Sequence, residues 1–339
     1  MHKLRRYIMS SFTMLFFSIF LPLYIIASVI FLIKMAHVTS VVQLSVAELT
    51  KLYLFMLPDL LFYTLPITFF IAAILSLYKF STDNEMIVFF ALGIKPNFLL
   101  RIFLLPATLL SLLLFFNSII LFPHAKTLSK NFLLYKKSEA KFNLSSSEFG
   151  HNFGGWLLYI GKENSDGSYG DVVLFHKDKK EELFITAKQA EIINKNGVLK
   201  MKLSDGEGNN YTVDTMSEMI FEEMYINDVM RMYLYKYQDP ISYWLDPFER
   251  DDKIKHLLKY TLFSLFPLLT LFLILSIGIT HDRHQKGFVY LYLFITILLY
   301  FGLGNVLHKA FSFYVTPLFI FLWLMGSYGI YHKKILTRF

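Results

Sequence analysis

Four groups of residues have the types and spacing to do chemistry. Lys34 and His37 lie three apart, so a helix puts both on one face. Asp59 stands inside a long apolar run, where an ionisable side chain is costly and by default a functional hypothesis with a partner to be named. Lys34 is the partner named by sequence position, since both fall near the same end of their runs. His308 and Lys309 sit together in a very short polar break between two further apolar runs. Cationic groups at such positions suit an anionic headgroup, because ammonium and phosphate form charge-assisted hydrogen bonds. The plain alternative stands beside this: a lysine near the end of a span snorkels to the interface, and Asp59 pairs with Lys34 for structure only.

The fourth group is Thr82-Asp83-Asn84-Glu85, followed by nine residues of which eight are apolar, Met86 to Ile94, broken only by Gly93. Thr82 with Glu85 fits a capping box. Gly93 suits a helix C-cap and Pro96 a stop. A helix of about ten residues, roughly 15 Å long, is predicted over 83–92 within a segment spanning 82–94. Met86, Phe89 and Phe90 make it apolar all round, and such a helix must be buried all round. The chain's own bundle covers one side, and a partner must cover the other. Alternatively, the segment is only the start of the next span, bent at Pro96.

Enzyme signatures are missing. The sequence has no GxxxxGK[ST] phosphate loop, no HExxH, no GxSxG, no EF-hand pattern and no cysteine. His281-Asp282-Arg283-His284 has metal-ligand types, but a basic loop is the simpler reading. No bound cofactor or metal is expected.

The elements that must position these residues are membrane helices. The chain has 339 residues, 55% of them hydrophobic and only 17% charged, against about 25% charged in soluble domains. Crossing the hydrocarbon core takes about 20 apolar residues. Six runs qualify: Ile8–Ile33, Leu52–Tyr78, Ile102–Phe122, Tyr260–Thr280, Phe288–Leu307 and Ala310–Tyr331. Lys3, Arg5, Arg6, Lys79, Lys95, Arg101, Arg283, Lys286, Lys333, Lys334 and Arg338 all fall on one side of such a bundle. That side is cytoplasmic by the positive-inside rule, with both termini inside. The net charge of +7 thus reflects orientation rather than nucleic acid.

Between the third and fourth runs lie residues 123–259, a typical domain length. Segments 155–163 and 170–178 flank the turn signal SDGSYG, Asn196-Gly197 marks a hairpin, and Asp205-Gly206 marks another turn. Residues 123–145 read as a helical continuation of the third span. The expected fold is an α-helical membrane bundle, three spans plus three, with an inserted all-β, jelly-roll-like domain. Its parts are 1–122, 123–259 and 260–339.

This pattern resembles the LptF/LptG permeases, the membrane subunits of the lipopolysaccharide-export ABC transporter. The local match is LPITFFIAAILSLYKFSTDNEMIVFFALGI, 65–94, similar to the family's Leu-Pro-led second span and its Glu-led coupling helix. ITAKQAEIINKNGVLKMKLSDG, 185–206, is similar to the family's alanine-led strand, turn and strand. One departure is Phe90, where the family often carries a polar or basic residue. Lys34 with His37, and the loop HDRHQKG, look more F-like than G-like.

The resemblance implies a subunit without catalysis in the Gram-negative inner membrane, with its β domain in the periplasm. It would pair with a paralogous permease above two copies of a cytoplasmic ATPase, which uses the ATP. Glu85, Met86, Phe89, Phe90 and Gly93 would form the contact with that ATPase. Lys34, His37, Asp59, His308 and Lys309 would line the lipopolysaccharide path, and the β domain would stack on a periplasmic jelly-roll bridge. Two other readings are a secondary transporter, which predicts several mid-membrane ionisable groups, and a non-transporting scaffold for envelope assembly.

Overall fold

The computed structural model describes residues 2–39, 44–142, 151–153, 156–164, 167–177, 181–195, 198–212, 215–226, 240–245, 249–280, 288–307 and 313–337. The chain divides into two compact units. One, of helices, comprises Met1–His37, Ser45–Ser129 and Tyr237–Phe339, and the other, built on the sheet, comprises Val38–Leu44 and Lys130–Lys236.

The first half of the chain makes long helices that continue through their internal prolines, Pro22, Pro58, Pro66 and Pro106. Helix α1 is His2–Thr39 and α2 is Val46–Thr82. The start of α2 carries a capping box: Glu48 N–H donates to the Ser45 hydroxyl and Ser45 N–H donates to the Glu48 carboxylate. A short helix α3, Glu85–Ala91, leads to α4, Pro96–Phe116, with Pro96 in the first turn, where its missing N–H costs nothing. A π-helical turn at Asn117–Leu121 joins α4 to α5, Phe122–Phe142, so the continuation into the 120s and 130s is helical as expected. Two side chains tie that turn to its neighbours. Asn117 Nδ2 donates to the Pro58 carbonyl at 2.7 Å, and Trp244 Nε1 donates to the Ile119 carbonyl at 3.1 Å.

The fourth apolar run is not one helix. It is α7, Arg250–Ser264, then α8, Phe266–Leu269, then α9, Leu271–Gly278, preceded by a short α6 at Pro240–Trp244. Pro267 removes a backbone donor there, and Tyr300 donates its hydroxyl to the Leu262 carbonyl at 2.6 Å. Helix α10 is Phe288–Val306, and α11 is Val315–Tyr331, running into a π-helical turn at His332–Leu336. Among the described residues, four continuous helical stretches are long and apolar enough to cross a membrane: His2–Ala36, Val46–Thr82, Pro96–Leu134 and Phe288–Val306. The fourth run falls short because it is broken into α7, α8 and α9. Helices α2 and α9 form the centre of this unit, with Phe69, Phe70, Ile74, Leu77, Ile274 and Leu275 buried.

The sheet has six antiparallel strands in sequential order: β1 His151–Phe153, β2 Trp156–Glu163, β3 Tyr169–Lys177, β4 Glu181–Lys195, β5 Val198–Thr212 and β6 Met216–Ile226. The described part of the β domain is thus a meander. Strands β4 and β5 pair up to Lys195 with Val198, as the hairpin signal required, although Asn196 and Gly197 lie outside the described residues. Asp205-Gly206 is not a turn, and this expectation is corrected. Both residues sit mid-strand in β5, with Asp205 in the left-handed region at φ 51°. Asp171 of β3 does the same at φ 54°. The registers place Gly161, Asp171, Lys188, Asp205 and Glu222 in one row across β2 to β6. Buried side chains change parity at that row, from Val172 to Tyr169, from Ala187 to Ala190 and from Gly206 to Leu203. A straight strand with this spacing would turn half its apolar set outward, and in β3 and β5 the left-handed Asp171 and Asp205 reset it.

Candidate functional site

The short helix α3 is built as a wedge between two spans. Its start departs from the expected capping box. Thr82 is the last residue of α2, and its hydroxyl donates back to the Lys79 carbonyl at 2.9 Å. Asn84 takes the N-cap position in the left-handed region at φ 62°, without a side-chain cap. The Glu85 carboxylate instead accepts a hydrogen bond from the Tyr7 hydroxyl of α1 at 2.9 Å. The C-terminal end follows expectation. Gly93 has φ +79°, Gly93 N–H donates to the Phe90 carbonyl at 2.9 Å, and Ile94 N–H donates to the Phe89 carbonyl at 3.1 Å. This is the paired closure of a Schellman motif, which needs a left-handed residue at that position.

An all-apolar helix must choose a face, and packing makes the choice. Met86 and Phe89 are buried, and the Phe89 ring meets Phe80 of α2 edge-on at 6.0 Å. These two expected partner-contact residues face the chain's own core, and Phe90 is half-buried against the same core. The residues left bare are Ile87 at 52%, Val88 at 54% and Leu92 at 73% exposure. They were not among the sequence candidates. The signal available was the missing polar residue, since an apolar helix at a membrane edge without a polar face has a second apolar contact to make.

The groups expected to meet lipid are only partly described. Lys34 is exposed near the end of α1, between the buried Phe31 and Met35. His37 lies in α1, but its side chain is outside the described residues, as are His308 and Lys309. The cluster His281–His284 also lies outside them, and among the described residues no group of His, Cys, Asp or Glu could hold a metal ion. Asp59 is half-buried on α2. No ion pair joins it to Lys34 among the described residues. Lys259 is buried, with Nζ 3.5 Å from Asn305 Oδ1 and 5.5 Å over the Tyr260 ring. Sequence position marked it only as the polar edge of a run.

The family model described as Lipopolysaccharide export system permease LptF/LptG matches residues 6–327. The chain belongs to the LptF/LptG permease family. A comparison with curated proteins gave no match. The family description covers both F and G types, so the matched range places α1 to α11 and the sheet within one permease without separating the two. An LptF/LptG chain is a transporter subunit rather than an enzyme by itself. Helices able to cross a membrane and an inserted sheet domain are what such a permease requires.

Proposed function

We propose that this chain is one permease of an ABC transporter that lifts lipopolysaccharide out of the Gram-negative inner membrane. Its second permease is a paralogue, more G-like where this chain is F-like. Two copies of a separate ATPase bind at the cytoplasmic face and hydrolyse the ATP. The bare stripe Ile87, Val88 and Leu92 carries this reading. It lies on a helix pinned from behind by Met86 and Phe89 and closed at Gly93, so it is a preformed apolar surface for a groove on the ATPase.

Closure of the ATPases on ATP rocks the two permeases as rigid bodies, a two-state change driven by differential binding. Lys34, with His37, holds phosphate or sugar-acid groups at the mouth of the cavity between them, with His308 and Lys309 at the same rim. Six crossings put both termini in the cytoplasm and the sheet in the periplasm. There the sheet extends a jelly-roll bridge through an edge strand.

Co-purification in mild detergent tests the reading. An ATP-binding subunit should stay with the wild-type chain and be lost with Val88→Asp, a substitution on the bare side that leaves the packed side intact. Phe89→Asp cannot serve, because it puts a carboxylate into the chain's own core. Absence of any ATPase from the wild-type preparation defeats the proposal.

A further inference from the structure

Helix α1 packs on the helical core by one side and turns the rest of its surface away from it. Met14, Phe17, Leu21, Ile25, Ile26 and Ile30 are all exposed. Among the described residues it is fastened toward both ends. Toward its C-terminal end, Tyr24 and Ser28 share hydrogen bonds with the Tyr53 hydroxyl of α2 at 2.7 and 2.8 Å, and Phe31 and Met35 are buried. At its N-terminal end, Ile8 is buried and the Phe12 ring meets Phe69 and Phe103 edge-on at 5.4 and 5.6 Å. Tyr7 extends this second fastening to α3. Its hydroxyl donates to Glu85 Oε1 at 2.9 Å, and its ring lies 5.4 Å from Phe80, which in turn lies 6.0 Å from Phe89.

We propose that Tyr7 is a positioning residue that ties α1 to α3, so that displacement of the short helix by its partner is delivered to the first span. This rests on the permease reading above. Asn84, left-handed and without a side-chain cap, is a joint between α2 and α3. Glu85 is the first residue beyond that joint, so its carboxylate travels with α3. A charge-assisted hydrogen bond to Glu85 therefore links α1 to the moving side of the joint. Without it, α3 tilts about Asn84 while α1 keeps its contacts to α2 and α4. The aromatic series Tyr7, Phe80 and Phe89 sets the position of the ring but does not depend on the hydroxyl.

The test uses the chain reconstituted into proteoliposomes with its second permease, the ATPase and lipopolysaccharide. Three quantities are read for wild type and Tyr7→Phe: ATPase retained on purification, ATP hydrolysed, and lipid delivered per ATP. Tyr7→Phe should retain the ATPase and hydrolyse ATP as wild type does, while lipid delivered per ATP falls about fivefold, the scale of one net hydrogen bond. Because the chain has no cysteine, M14C with L112C places two spin labels uniquely on α1 and α4. The nucleotide-dependent change in their separation should shrink with Tyr7→Phe at an unchanged melting temperature. In a Glu85→Leu background, Tyr7→Phe should have no further effect. Wild-type lipid yield and label movement in Tyr7→Phe, additivity with Glu85→Leu, or loss of the ATPase from Tyr7→Phe would each overturn the proposal. A wild-type chain that binds no ATPase removes the permease reading, and this link with it.

Discussion

Two charged sites differ in what their surroundings do to them. Lys202 Nζ lies 2.5 Å from Glu223 Oε1 across β5 and β6. The hydrogen bond from Lys202, followed by its charge, holds the Glu223 carboxyl below its ordinary value of 4.5, and the same bond raises Lys202 above 10.5. A depressed carboxyl contributes stability that is present above its ordinary value and lost as pH falls through the folded one. The raised lysine contributes stability that is present below its ordinary value and lost as pH rises through the folded one. Amide protection of β6, corrected for intrinsic exchange, should therefore fall as pH is lowered below about 4.5, and Glu223→Gln should flatten that dependence. Lys34 is the contrasting case, an exposed cation in a span. Lys34→Asp should weaken crosslinking of lipopolysaccharide to α1 by about fivefold, since an exposed charge contact contributes about 1 kcal/mol at most. Unchanged crosslinking takes Lys34 out of the lipid path.

At the scale of one element, α3 shows how a helix of seven residues holds its shape. It is far too short to be stable alone, so its ends and its packed face do the work. Gly93 takes φ +79°, and a Cβ there would meet nothing within 4 Å. The cost of a side chain is then purely that of the left-handed backbone. Gly93→Ala should destabilise the turn by about 1–2 kcal/mol, and Gly93→Asn by less, because asparagine tolerates that region. ATPase retention read for both should rank glycine, asparagine, alanine. Equal retention by all three would mean that the closure at Gly93 does not hold the bare stripe in place.

Across the whole helical unit, the two halves of the chain meet where α2 and α9 cross. Ser81 donates its hydroxyl to the Gly278 carbonyl at 3.1 Å and accepts from Thr280 N–H at 3.3 Å. A Cβ on Gly278 would stand 2.7 Å from Leu77 Cβ and 3.0 Å from the Ile74 carbonyl. Backbone cannot yield cheaply at such a crossing, so Gly278→Ala should cost about 1–3 kcal/mol, like other overpacked cores. It should lower the melting temperature of the detergent-solubilised protein. Gly329→Ala, with nothing within 4 Å, should be neutral or slightly stabilising, because alanine is the better helix former. Equal melting temperatures for the two variants would show that this crossing is loose.

Sequence alone determined whatever depends on neighbours along the chain. The apolar runs, the helical extension past Phe122, the end of α3 at Gly93 and Pro96, and the pairing up to Lys195 and Val198 all follow from local length, composition or allowed φ. Tertiary structure decided whatever required a choice among equivalent partners. An all-apolar helix has no preferred face, so only packing against Phe80 turned Phe89 inward and left Val88 bare. Thr82 had two acceptable uses, and α2 claimed it because continuing the helix satisfied its hydroxyl on Lys79. Asp205-Gly206 has the composition of a turn, but long strands on both sides held it in the sheet and used its left-handed backbone to shift parity instead. Ser81 meets Gly278 and Thr280, far along the chain, because packing in a bundle depends on distance in space and not on sequence order.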